Sequence, residues 1–192
     1  MGESPETALG PPDPQAYPGD SLVNMNIDKL TLTTCLWFDG QAEEAANFYV
    51  SVFKNSKITH IQRYSDAGKE FHGHEPGTVL VVEFELNGHR FVGLNGGPNF
   101  KFSPAISLMV DCDTQEEVDY YWDKLREGGD EAAQQCGWLA DKYGVSWQIV
   151  PRVLKDMMNS PDKEKADRAT VAMMHMHKLD IAGLQKAFDG TA

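Results

Sequence analysis

The chain repeats itself. LWFD at Leu36–Asp39 returns as LMVD at Leu108–Asp111, and EEAANFY at Glu43–Tyr49 returns as EEVDYYW at Glu116–Trp122. The offset is about 72 residues, too long for a solenoid unit and right for a duplicated module. A module that carries one helix covers one face of its sheet and leaves the other in need of a partner. Two such sheets brought together would enclose a cleft.

Pattern reading fills in the modules. LTLTTCLWF predicts a strand over 30–38, and Asp39 is placed to cap the helix QAEEAANFYVSVF, whose Ala45, Tyr49, Val52 and Phe53 share a face. KITHIQRYS alternates as a strand. After the loop DAGKEFHGHEPG, TVLVVEFEL turns Leu80, Val82, Phe84 and Leu86 one way and Val81, Glu83 and Glu85 the other. Asn87-Gly88 signals a hairpin, with HRFVGLN as its return strand. The order is β-α-β-β-β. It restarts with the strand AISLMVD and a capping box, Thr114 with Glu117, which opens the helix TQEEVDYYWDKLREGG. QQCGWLA and VSWQIV read as strands joined by a turn at 141–144.

Beyond the modules the chain reads as helical. Ser160-Pro161-Asp162 predicts an N-cap with proline at the first helical position. Ala166, Ala169, Met173 and Met176 then line one face, and Asp180 caps a last helix with Ile181, Leu184 and Phe188 together. At the other end, MGESPETALGPPDPQAYPGDS is rich in proline, glycine and acid, which predicts a disordered arm over 1–27. The expected organisation is therefore that arm, a first module over 28–98, a second over 99–151 and a helical extension over 152–192.

Charge and cysteine content narrow the function classes. A formal net charge of -12 repels phosphate backbones and anionic lipid, which argues against nucleic acid and membrane as partners. Cys35, Cys112 and Cys136 are odd in number, far apart and outside any CxxC pair. A disulfide framework or structural zinc site is not expected, and a reduced, cytoplasmic setting fits.

With LWFDGQAEEAANFYVSVFKNS, FVGLNGGPNF and DKYGVSWQIVP in that order, the sequence resembles the vicinal oxygen chelate superfamily. The nearest branch is the PhnB-like group, glyoxalase/bleomycin-resistance-like and often labelled demethylubiquinone methyltransferase-like. The resemblance implies an α+β fold of paired βαβββ modules forming a cupped sheet, over 29–190, and a homodimer as the common assembly. In metal-using members four cavity-facing side chains hold a divalent ion. By register the matching positions are Thr33, Asn95, Ala105 and Gln148, which together offer no imidazole and no carboxylate. No metal is therefore expected, and glyoxalase or extradiol dioxygenase chemistry, which needs one, is disfavoured. The glycine cluster LNGGPNF runs into Pro98 and Phe100 with no helix behind it, so no S-adenosylmethionine motif and no cofactor is expected.

Alternation assigns the candidate site. If Leu36 and Phe38 meet the helix, then Thr33, Cys35 and Trp37 look into the cleft. By the same logic Glu83, Phe91, Gly93, Asn95, Ser107, Met109, Ser146 and Gln148 do too. Aromatic walls with a few polar groups suit a small-molecule pocket. Glu83 is the one candidate acid or base, and Glu85 is expected to lie outside. His72-Gly73-His74-Glu75 reads as a solvated loop, and His175 and His177 point apart on a helix and cannot share an ion. The expected function is binding, and conversion at most, of a small aromatic or quinone-like molecule in a metal-free cleft. The alternatives are a drug- or metabolite-sequestering protein, a methyltransferase as the branch label suggests, or a metal-dependent lyase or dioxygenase.

Overall fold

The computed structural model describes residues 32–191, so the expected arm over 1–27 lies outside the described residues. Thr33–Ala192 forms one compact unit. The first module runs β1 (Thr34–Phe38), α1 (Ala42–Val52), β2 (Lys57–Arg63), a short α2 (Lys69–His72), β3 (Val79–Leu86) and β4 (His89–Asn95). The second runs β5 (Leu108–Cys112), α3 (Gln115–Leu125), β6 (Trp138–Ala140) and β7 (Ser146–Pro151). Then come α4 (Arg152–Met158), α5 (Lys163–Met174) and α6 (Ile181–Asp189). This is the α+β vicinal oxygen chelate fold.

The strands form a four-stranded sheet, β1-β4-β3-β2, and a three-stranded sheet, β5-β7-β6. In each, the first strand of the module runs parallel to the last. The second module has one strand fewer. Where the first module has β2, the second has a 3-10 turn over Glu131–Ala133, with the Asp130 carboxylate accepting from Ala132 N–H. EGGDEAA offers no alternating apolar residues for a strand to bury, so this departure follows from composition.

The core sits between the modules. α1 covers one face of the first sheet with Ala42, Ala45, Ala46, Tyr49 and Val52, and α3 covers the second with Val118, Trp122 and Leu125. These two layers merge into one apolar cluster. Phe53 joins them, stacked on Tyr121 at 5.1 Å and on Trp147 at 5.4 Å between centroids. At the centre lies the Asp141 carboxylate, 2% exposed. One oxygen accepts from Tyr49 O–H and Trp147 Nε1–H, both at 2.8 Å; the other accepts from the backbone N–H groups of Tyr143 and Val145. Tyr49 belongs to the first module and the other three to the second, so this carboxylate ties the halves together. Burial pushes its pKa up, and the four donors offset only part of that.

Local signals explain the helix starts, with corrections. Asp39 does not cap α1; Asn95, 53 residues away, accepts from Ala42 N–H at 2.9 Å and does so. The start of α5 is capped by Asp162 accepting from Lys165 N–H, so Pro161 precedes the helix instead of opening it. At α3 half of the box forms as expected, Thr114 Oγ1 accepting from Glu117 N–H, while the Glu117 carboxylate reaches one residue further back and accepts from Asp113 N–H at 2.7 Å. Asp180 caps α6 through Ala182 and Gly183.

The extension has its own small core of Leu154, Met157, Ala169, Leu179 and Leu184, against which Val150 of β7, Met173, Met176 and Phe188 pack. It is fastened to the second module at two places. Cys136 and Gly137 N–H donate to the carbonyls of Met176 and His177, both at 2.8 Å. Gln115 at the start of α3 donates to Leu179 O and accepts from Ile181 N–H, while Lys178 pairs with Asp119 at 2.8 Å.

Candidate functional site

The first sheet turns one face to α1 and leaves the other free of that core. Register fixes which residues share the free face. Cys35 lies beside Val92 and Trp37 beside Leu94 on the parallel pair β1–β4. Across β4–β3, Leu94 meets Val81, Val92 meets Glu83, and Arg90 meets Glu85. On β2, His60 stands opposite Glu83, and the register slips between Ile58 and His60. That slip is a bulge, and bulges re-aim side chains. The extra residue it accommodates, Thr59, lines the cavity on this face.

The cavity measures about 360 Å³ and is lined by Thr33, Thr59, Glu83, Glu85, Arg90 and Val92, with Phe84 and Phe91 at its floor. Its polar residues differ in how they are engaged. Glu85 lies between Lys57 at 3.5 Å and Arg90 at 3.9 Å. Glu83, two residues back on the same face, has no ion pair among the described residues. Further along the face the lining is apolar, with half-buried Val81, Leu94 and Trp37. Cys35 is exposed, yet the groups around its sulfur desolvate it and push its thiol up. A protonated thiol without a base is a poor nucleophile.

Thr33, Cys35, Trp37 and Glu83 therefore share one face, and Thr33 and Glu83 one cavity. Trp37 is not a free wall: its indole lies across Gly96, where a Cβ would sit 2.2 Å from the ring, and its N–H donates to Gly97 O at 2.8 Å. Phe100, exposed, meets it edge-on at 4.9 Å.

Gly93 and Asn95 are corrected to the opposite face, and Phe91, which still borders the cavity, turns its ring to that face as well. Phe91 is buried against Phe84 at 5.3 Å, and Gly93 lets α1 approach so closely that a Cβ there would lie 3.2 Å from that of Ala42. Asn95 spends its amide on Ala42 N–H and Val79 O. HRFVGLN is apolar on both sides, so alternation alone could not choose; the turn Asn87-Gly88 and the pairing Glu85–Arg90 choose instead. Glu85 is corrected into the cavity. Thr59, Arg90 and Val92 were missed: Thr59 needs the bulge, and the other two follow once the face of β4 is right.

The second-module candidates stand apart from this cavity. Gln148 aligns with Met109 and Trp138 on the free face of the second sheet and donates through Nε2 to Ser107 Oγ at 2.8 Å. Ser146 is buried beside Ala140, whereas Met109 is half exposed. Asp111, on the same face, is held by Lys155 and Arg152.

The four positions matched to a metal tetrad do not fit a divalent ion. The Ala105 side chain has no ligand atom, Asn95 points into the core, and Gln148 spends its amide N–H on Ser107. Neutral amide and hydroxyl oxygens would leave the ion's charge uncompensated. In the β2–β3 loop, His72 and His74 pack on the Tyr64 ring at 4.5 and 4.4 Å, and Tyr64 O–H donates to Asn95 O. These imidazoles build the loop by stacking. Among the described residues no group of three or more His, Cys, Asp or Glu is placed to hold a metal.

The family model described as 3-demethylubiquinone-9 3-methyltransferase matches residues 30–150 of the chain. A solved structure from Bacillus cereus, described as a 3-demethylubiquinone-9 3-methyltransferase, PhnB protein, is 41% identical. The match covers 64% of this chain and 99% of that one, with a TM-score of 0.56. A protein from Staphylococcus aureus is 30% identical over 61% of this chain and 92% of its own, with a TM-score of 0.27. The fosfomycin resistance protein FosX of Listeria monocytogenes is 13% identical over 69% of this chain and 98% of its own, with a TM-score of 0.47. No curated protein matches the chain.

Proposed function

That this chain belongs to the family described as 3-demethylubiquinone-9 3-methyltransferase, the PhnB-like branch of the vicinal oxygen chelate superfamily, is the premise from which we propose a role for the free face of its first sheet. The face binds a small aromatic or quinone-like molecule. A flat ring lies along Cys35, Val92 and Leu94, and its polar end enters the cavity between Thr33, Thr59 and Glu83. The observation that carries this reading is the cavity itself, a concave and mixed surface of about 360 Å³ on a sheet face that the core leaves free. Glu83 is the one carboxylate there without a salt bridge among the described residues, and so the candidate acid or base if the molecule is converted as well as bound.

Methyl transfer, which the family's description names, would require S-adenosylmethionine. Its usual cradle is a glycine-rich turn from a parallel strand into a helix whose free N–H groups face the ligand. Here the turn from β1 into α1 is Asp39-Gly40-Gln41, and the first N–H of α1 is bonded to Asn95. The Trp37 indole fills the space at Gly96 and donates its N–H to Gly97 O. These residues do not fit the cofactor, and no methyl-transfer step is drawn from them. Stabilisation by S-adenosylmethionine that Gln148→Ala abolished would overturn this.

The binding reading is tested by titrating catechol and a hydroquinone into isotopically labelled protein. Amide shifts centred on Cys35, Val92 and Leu94 are expected. Shifts confined to α5 and α6, or none at all, would remove the reading. Sequestration without conversion is the second reading, favoured by a cavity in which, among the described residues, Glu83 is matched by no second carboxylate free of an ion pair. No helix among the described residues is long and apolar enough to cross a membrane. Three free thiols suit a reducing, cytoplasmic setting, and net charge -12 suits neither nucleic acid nor anionic lipid. The assembly we propose is a homodimer, with exposed Ile106 and Met109 beneath a second copy.

A further inference from the structure

We infer that the cavity selects ligands by charge: Glu83, with the hydroxyl of Thr59 on the neighbouring strand, receives a protonated amine at the polar end of the aromatic molecule. This rests on the binding reading above and adds a chemical class to it. The argument starts from the contrast between two carboxylates on one strand. Glu85 is answered from both neighbouring strands, by Lys57 on β2 and Arg90 on β4. Glu83 has His60 on one side in register and the apolar Val92 on the other, and no salt bridge among the described residues. The cavity therefore holds one carboxylate with cations beside it and one without a salt bridge among the described residues.

The remaining polar groups agree in kind. An ammonium has three donors and no acceptor, and it needs acceptors arranged around it. Glu83 is acceptor-only when ionised, and the Thr59 hydroxyl has lone pairs to offer. Lining the same cavity from adjacent strands, these two residues suit an ammonium, while Thr33 stands two strands away from Glu83. An anionic end would meet Glu83 directly, with Arg90 already engaged by Glu85. The net charge of -12 adds a long-range field of the same sign. Because the cavity is open to water, the charge preference is that of one charge-assisted hydrogen-bonded contact, about tenfold in affinity.

Three probes share a ring and differ at one end: tyramine, 2-(4-hydroxyphenyl)ethanol and 4-hydroxyphenylacetate. Dissociation constants come from amide shifts of Thr33, Thr59, Glu83 and Val92. Tyramine is expected to bind about tenfold more tightly than the alcohol, with the carboxylate weakest and the gap closing as salt rises. Glu83→Gln should erase the gap. Glu70→Gln, which removes one charge from an exposed loop helix, should keep it and so separate contact from net charge. Equal binding of tyramine and the alcohol, or a gap that survives Glu83→Gln, would overturn charge selection while leaving the face a ligand site. Failure of all three to shift this face would remove both.

Discussion

At the scale of single residues, the buried Asp141 carboxylate has the largest consequence. Asp141→Ala would strand Trp147 N–H, Tyr49 O–H and two backbone donors in an apolar core. Such unpaired groups cost about 1–3 kcal/mol each before relaxation and water entry, so a loss of roughly 3 kcal/mol is expected in urea unfolding. A change below about 0.5 kcal/mol would show that the network contributes nothing beyond ordinary surface substitutions. The sequence marked 141–144 as a turn but held no sign of this role, because Tyr49 reaches it from 92 residues away. Gln148 shows the opposite case. Its free-face position in VSWQIV was legible from alternation, since Trp147 and Ile149 are unmistakably core. Its hydrogen bond to Ser107 depends on the parallel pairing of β5 with β7, which alternation does not contain.

Among the elements, the helical extension depends on charged contacts at its base. Asp119 is held below the usual carboxylate range by its hydrogen bonds from Lys178 and Gln115. A carboxylate depressed in the folded state contributes stability above its unfolded pKa and loses it as pH falls through the folded value. Amide protection in α5 and α6, taken relative to the intrinsic exchange rate at each pH, should therefore fall on acidification below the ordinary aspartate range, before the first sheet responds. In Asp119→Asn the exchange should already be faster at neutral pH and lose that acid step. An acid step of the same size in the variant would assign it to other carboxylates. Helices α5 and α6 were readable from apolar spacing and from Asp180. Helix α4 was not, because seven residues following directly on a strand give too short a period to recognise.

For the whole molecule, the duplicated plan was legible because the two copies still carry the same strand-helix words. The shortened second sheet was legible only as a lack of apolar alternation. What pattern could not provide was how the modules meet, since helix packing is decided by shapes such as Phe53 against Tyr121 and Trp147. The homodimer is tested by light scattering on the eluting protein, with twice the 21.3 kDa chain mass expected. Ile106, 76% exposed, and Met109, 51% exposed, are the proposed contacts. The pair Ile106→Asp and Met109→Asp should give a folded single chain. A wild-type mass of one chain at micromolar concentration would overturn the assembly.

The shared carboxylate also bears on ancestry. Two freshly duplicated modules are interchangeable, and either copy can be exchanged for a relative's. Once one half stabilises itself with a tyrosine from the other, that freedom ends. Recombination at the seam between 95 and 108 would produce chimeras that keep this contact only if the tyrosine and the aspartate come from compatible parents, so the two halves are under selection to diverge together.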